Sequence, residues 1–452
     1  MSCPCDENGR ARLLASLAAL AALLGEPALL AAGEPASRFG VDAPELAHLG
    51  PYAVGVRSLE LIQPAQPDVL AYDPATGRAP LRDRKLGVEL WYPAKPQPGA
   101  AAVTYAGSFP SEPPAPPAHF TQPGIAVRDA PAAGRNFPLI VVSHGYSNDV
   151  AALTWITENL ASKGYVVAAI RHDDPPISDR SKFPEPVLRR PLDIAFVTAT
   201  LQQRLRAEGL IDPGKTALIG YSAGGYGVLV AAGATLDPAS PLVKLVPGGL
   251  LSPYARGGTL EHTFPVHGLR AVVAIAPMGG GALAAFGSDG LRGLRAPLLL
   301  IAGDADRRLS YASGARAFFD QAVHARRYLL TLQGAGHSIG LNRAPDEMRR
   351  RLWDEEWFEG PVWRTERVNA INAHFITAFL DRFVKQDETR AAYLDVPVPL
   401  LAAGTWPDPA PPAPPPRYGA YSPGTAGITL WKGFQRSQAA GLQLLRAQPD
   451  EP

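Results

Sequence analysis

Between residues 52 and 384, short apolar runs rich in Val, Ile and Leu alternate with stretches whose apolar positions recur at helical spacing. Continuous apolar runs of this length suit strands buried on both faces. Their alternation with helices suits a mostly parallel sheet with helices on both faces, an α/β class. The pattern predicts eight strands, at 52–56, 87–92, 138–143, 165–170, 216–220, 271–276, 297–302 and 328–332. Helices are predicted at 150–162, 191–208, 223–233, 311–323 and 366–384, with Gly164 placed to cap the first. Two Pro-rich segments, 110–131 and 397–416, break the alternation and read as exposed, irregular chain. Order signals return after Tyr418, with Trp431 and Phe434 leading into a helix-like run over 435–447 that is expected to dock on the main unit.

These signals divide the chain into 1–36, an export signal and extension, 37–388, the α/β unit, and 389–452, a Pro-rich linker with a docking tail. Residues 13–24 are almost entirely Leu and Ala, preceded by Arg10 and Arg12 and followed by Gly25, Glu26 and Pro27. The run resembles a signal peptide and is too short for a stable membrane span, so the expectation is a secreted or periplasmic protein. Its mature start would fall between Gly25 and Phe39, which removes Cys3 and Cys5, the two cysteines of the chain. No disulfide framework or multi-cysteine zinc site is then available. With 46% hydrophobic and 19% charged residues the chain reads as globular, and a net charge of +1 without a basic run argues against nucleic acid as a partner.

The chemistry concentrates at strand ends. Gly220-Tyr221-Ser222-Ala223-Gly224 closes an apolar strand and opens a small-residue helix, the setting that a nucleophile elbow requires. A tight turn there projects the Ser222 hydroxyl above the sheet edge, and the glycines stand where a side chain would collide with backbone. A serine hydroxyl needs a base, and the base an orienting acid. The strand at 297–302 ends in Gly303-Asp304-Ala305-Asp306, and that at 328–332 leads to Gly334-Ala335-Gly336-His337. We assign His337 as base and Asp306 as acid. Asp304, the competitor, is better placed to stabilise the turn after Gly303. The oxyanion donors are then the backbone amides of Ala223, next to the nucleophile, and of Tyr146, in Ser143-His144-Gly145-Tyr146 after another strand. His144 itself reads as structural, bonded to loop backbone.

Tyr221, beside the nucleophile, and Met278, beyond the neighbouring strand, are candidate substrate-binding residues, with core packing as the alternative for each. Arg171-His172-Asp173-Asp174 contains metal-ligand residue types, but neighbours in sequence rarely converge on one ion, and no metal is expected. His262 and His267 match no ligand spacing, and Gly279 to Gly281 form no dinucleotide-binding pattern, so no cofactor is expected either.

Together these residues resemble the α/β-hydrolase superfamily, and within it the dienelactone hydrolase-like and platelet-activating-factor acetylhydrolase-like esterases. Val88-Glu89-Leu90-Trp91-Tyr92-Pro93, Ser143-His144-Gly145, the segment 160–167 and Arg190-Pro191-Leu192-Asp193-Ile194 extend the resemblance beyond the triad. It implies a cofactor-independent hydrolase of small or polymeric esters working through an acyl-enzyme. Two positions depart from these relatives. Ser222 stands where dienelactone hydrolases have cysteine, and Ala276-Pro277-Met278-Gly279 lacks the carboxylate that acetylhydrolases carry there. The acid is therefore expected at Asp306, as in dienelactone hydrolases and bacterial cutinase-like polyester hydrolases. An aromatic at Tyr146 is similar to the latter, whereas Ala223 replaces their usual methionine. Amide cleavage by the same triad, and a silent binding protein of the same fold, are the rival readings.

Overall fold

The apolar runs form strands buried on both faces, and alternate residues of each strand supply two separate cores. Ile140 and Val142 point into one, Leu139 and Val141 into the other. The computed structural model describes residues 34–264, 266–406 and 427–451. The apolar run 13–24, both cysteines and residues 407–416 of the second Pro-rich segment lie outside them. From Pro35 onward the described chain is one compact unit.

The strands are β1 (Ala53–Pro67), β2 (Leu81–Ala94), β3 (Thr104–Phe109), β4 (Ala118–Pro123), β5 (Val127–Arg128), β6 (Phe137–Ser143), β7 (Val166–Arg171), β8 (Ile211–Tyr221), β9 (Leu269–Ile275), β10 (Leu298–Gly303), β11 (Arg327–Leu332) and β12 (Leu442–Ala447). The longer helices are α1 (Thr154–Ser162), α2 (Pro184–Ala207), α3 (Ala223–Ala231) and α4 (Thr365–Phe383). All eight predicted strands are present, but the main sheet has ten, in the order β12-β11-β10-β9-β8-β6-β7-β2-β1-β5. Its parallel centre runs from β7 to β11, flanked by antiparallel β2 and β1 on one side and β12 on the other. Residues of α1 and α4 pack on one face, and those of α2 and α3 on the other.

Three expectations change. The predicted helix over 435–447 is instead β12, paired antiparallel with β11 from Leu332↔Leu442 to Arg327↔Ala447. Gly441 at φ +76° breaks a helix there, and Leu442, Leu444 and Ala447 are buried against the sheet. Pairing with the open backbone edge of β11 overrides a short run whose period is ambiguous. The first Pro-rich segment is not wholly irregular, since β4 pairs antiparallel with β3. Buried Phe109 and Phe120 anchor that hairpin on Phe358, with ring centroids 5.0 and 5.8 Å away. In the second, Leu401 is buried rather than exposed. Trp431 and Phe434, both buried, pack against Phe375 of α4, the first edge-on and the second tilted.

The third change concerns α2, which begins at Pro184 and runs through Pro191. Proline at 191 deprives the Val187 carbonyl of its helical partner. The Tyr226 hydroxyl of α3 donates to that carbonyl at 3.1 Å instead. The exchange ties α2 to the helix that follows the elbow. Gly164, by contrast, caps α1 as expected: it sits at φ +91°, and the Gly164 and Tyr165 amides return to the Ala161 and Leu160 carbonyls.

Candidate active site

Ser222 lies between β8, the central strand, and α3, with φ 54° and ψ −114°. A non-glycine residue rarely adopts that backbone, which persists only where its surroundings hold it. Here the Ser222 amide donates to the Ile275 carbonyl at 2.9 Å, and its own carbonyl accepts from Met278 and Tyr226 at 3.0 and 3.1 Å. A Cβ at Gly220 would lie 2.2 Å from the Gly224 carbonyl oxygen, and one at Gly224 would lie 2.0 Å from that of Ser143. Both glycines of the motif are therefore required by the turn's contacts.

His337 follows β11 and presents Nε2 to Ser222 Oγ at 3.1 Å and Nδ1 to Asp306 Oδ2 at 2.7 Å. Asp306 Oδ1 accepts the Arg308 and Leu309 amides at 2.9 and 3.1 Å. Burial alone would raise the Asp306 carboxyl; its bond to His337, the neighbouring imidazole and the two amides outweigh that and hold it below the ordinary carboxylate value. With Asp306 ionised, His337 carries its proton on Nδ1 and leaves Nε2 free to accept the serine proton. Asp304 is exposed and takes the Gly334 amide at 2.6 Å, so it ties its turn to the neighbouring loop.

Tyr221 is buried with its ring stacked on His337, centroids 5.4 Å apart, and its hydroxyl donates to the His337 carbonyl at 3.0 Å. Tyr146, Tyr221, Ser222, Met278 and His337 all border one cleft of about 470 Å³, whose wall includes Phe183 and Trp357. The loop after β6 carries Tyr146 to it. Neither the Tyr146 nor the Ala223 N–H donates to a described residue. Arg180, Arg308 and Trp357 also line the cleft. Arg180 opens a short 3-10 turn and the other two sit in turns, all without a motif, and no sequence signal singles them out.

The other charged cluster is structural. His172 Nδ1 bonds Asp193 Oδ2 at 2.8 Å and Nε2 bonds Ser143 Oγ at 2.8 Å, while Arg84 holds Asp193 with bonds of 2.8 and 2.9 Å. Both ring nitrogens are thereby occupied. Among the described residues, no group of three or more His, Cys, Asp or Glu side chains is arranged to hold a metal. His144 donates from Nδ1 to the Gly145 carbonyl at 2.7 Å and accepts the His172 amide at Nε2, 3.3 Å away. Arg84, Asp193 and this Ser143 link escape sequence reading because their partners lie far apart in the chain. Asp193 and Arg190 fall within the Arg190–Ile194 segment that carries the family resemblance, the one available signal.

Burial, with the Arg190 charge adding to it, drives the His172 imidazole down to about 3, and the same two causes put His144 well below its ordinary value. His374 of α4 falls to about 3 through burial, with the Lys163 charge next. The folded protein thus keeps three imidazoles neutral where the unfolded chain would protonate them below pH about 6.5. Below about pH 6.5 the unfolded state binds more protons, so stability rises with pH and is lost on acidification. His172 and His374, whose folded values lie near 3, should each withdraw about 2 kcal/mol between pH 7 and 5, and His144 acts in the same direction. Urea midpoints measured across that range should fall; an unchanged midpoint would show that these rings are not buried neutral.

Among the described residues no helix is long and apolar enough to cross a membrane. Residues 124–244, from the chain before β6 to the segment beyond α3, match the model of a family described as PET hydrolase-like. That range contains Tyr146, Ser222 and Ala223 and stops short of Asp306 and His337. Among solved structures, a ferulic acid esterase from Streptomyces cinnamoneus is 21% identical, with a TM-score of 0.48, covering 74% of this chain and 91% of that one. No curated protein matches.

Proposed function

We propose that this chain is an ester-bond hydrolase of the α/β-hydrolase superfamily, and specifically a serine carboxylic-ester hydrolase with Ser222 as nucleophile. The observation that carries the reading is the unbroken hydrogen-bonded series Ser222 Oγ, His337, Asp306 at a strained elbow beside an open cleft. His337 takes the Ser222 proton as Oγ attacks the ester carbonyl, and Asp306 stabilises the imidazolium formed. The Tyr146 and Ala223 amides bind the oxyanion, and the N-terminal end of α3 adds a favourable dipole. His337 protonates the departing alcohol to leave an acyl-Ser222. Water, deprotonated by the same ring, then releases the acid and restores the hydroxyl. Export through the 13–24 signal would place this activity outside the cytoplasm.

A panel of p-nitrophenyl esters of graded acyl length, run beside the matching anilides, tests the reading. Esters should be turned over and anilides far more slowly; preference for the anilides would make the protein an amidase, and neither activity would leave a binding protein.

Tyr221 and Met278 serve in this reading as binding residues, and their surroundings separate them. Met278→Ala enlarges the cleft and should shift kcat/KM between small and bulky esters by about 1 to 3 kcal/mol. Tyr221→Ala also removes the ring that supports His337 and should cost about 3 to 5 kcal/mol of stability. Thermal melts and ester selectivity of both variants decide the point. A Met278 variant with lowered Tm and unchanged selectivity would take that residue out of the binding site.

A further inference from the structure

The peptide unit joining Gly145 to Tyr146 is gripped by its carbonyl. Three donors converge on the Gly145 oxygen: His144 Nδ1 at 2.7 Å, the Asn148 amide at 3.2 Å and Arg190 Nη2 at 3.0 Å. In a trans peptide the C=O and N–H point in opposite directions. Fixing the carbonyl therefore also fixes the line along which the Tyr146 N–H points. The two neighbouring contacts act in the same sense. The His172 amide donates to His144 Nε2, which leaves the proton on Nδ1 for Gly145. Asp174 pairs with Arg190 and accepts the Ser147 amide at 2.9 Å.

Arg190 is a costly residue for this place. Its side chain is 0% exposed, and Nε and Nη1 find no partner among the described residues. A buried guanidinium with two unpaired nitrogens opposes folding. Its one engaged nitrogen, Nη2, divides between Asp174 and the Gly145 carbonyl. Stability therefore does not account for an arginine here, whereas its position on that one peptide does. A cation at a carbonyl oxygen draws electron density along the amide, leaving its N–H a stronger donor.

We propose that Arg190 is a positioning residue of the oxyanion site, fixing and polarising the Gly145–Tyr146 peptide so that the Tyr146 N–H binds the anion formed at Ser222. The proposal rests on the reading of Tyr146 as an oxyanion donor. Arg190 touches no reacting atom. It acts through the peptide, and the packing of α2 on α3 holds it there: a Cβ at Gly227 would lie 3.0 Å from the Arg190 Cβ.

The test is the double variant R190M/D174N. It removes both charges of the buried pair together, so neither is left uncompensated, and a carboxamide oxygen at 174 still accepts the Ser147 amide. Relative to the wild type, kcat should fall about 10- to 100-fold, below the loss seen when a whole oxyanion donor is removed, while KM stays within about threefold. Affinity for a boronic acid that forms a tetrahedral adduct on Ser222 should fall by the same factor as kcat. R190K returns the charge on a flexible stem and should lose about 3- to 10-fold in kcat, less than the double variant. A folded double variant with kcat within about threefold of the wild type, or with a raised KM and unaltered kcat, overturns the proposal. Should the double variant not fold, R190K decides alone: a parallel loss of kcat and boronate affinity upholds it, and wild-type kcat overturns it. S222A is assayed alongside. Activity remaining in S222A would unseat the nucleophile, whereas a dead S222A beside a fully active double variant would unseat Arg190 only.

Discussion

Ser222→Ala should lower kcat for ester hydrolysis about a millionfold, with the protein still folded. The hydroxyl contributes little to stability, because among the described residues its one side-chain hydrogen bond is the 3.1 Å approach of His337 at the edge of the cleft. The elbow is held by backbone bonds of residue 222 that alanine keeps. What alanine cannot supply is the oxygen proposed to attack. Turnover left to the amides and the bound water should resemble the small remainder of other serine triads. Kinetics on a p-nitrophenyl ester and a thermal melt of the same sample check both halves. A variant that retains more than about a hundredth of wild-type kcat would mean that Ser222 is not the nucleophile.

Asp306→Asn should cost about ten-thousandfold in kcat, with little change in KM. The loss follows from hydrogen-bond polarity rather than from charge alone. Oδ1 of Asp306 receives two backbone amides, so the carboxamide oxygen of the variant must take that place. Its NH2 then faces His337 Nδ1, which has to accept. The ring proton moves to Nε2 and points at Ser222, so the imidazole can no longer take the serine proton. Asp304→Asn should stay within a few-fold of the wild type, since a carboxamide oxygen can still receive the Gly334 amide. A crippled Asp304 variant beside a mild Asp306 variant would reverse the assignment.

The difference between the two aspartates shows what could be read from the chain. Both lie in one short loop, and a local rule separates them: the turn must complete before a side chain can reach back. The elbow, the loop after β6 and the His337 loop are similarly local, each a few residues at the end of an apolar run, and so the residues that meet at the candidate site are legible in the chain. The supports of the site are not local. Arg84 meets Asp193 across 109 positions, and Arg190 meets Gly145 across 45. No periodicity announces such contacts. The fold divides in the same way. The buried parallel strands are marked by continuous apolar runs. β12, the short edge strand at the end of the chain, is specified by the partner strand it lies against. Pro191 reads as a helix start because proline commonly opens a helix, whereas inside α2 the Val187 carbonyl it leaves free is taken by the Tyr226 hydroxyl, 35 residues beyond the proline.

If Ser222 is an activated nucleophile, it can be trapped covalently. The protein is incubated with a fluorophosphonate, its residual esterase activity is followed, and the labelled peptide is sequenced by mass spectrometry. One phosphonyl group per chain is expected, on Ser222, formed in step with loss of activity, absent in S222A and strongly slowed in His337→Ala. Full esterase activity after exposure, or inactivation with the label on another residue and Ser222 unmodified, would contradict it.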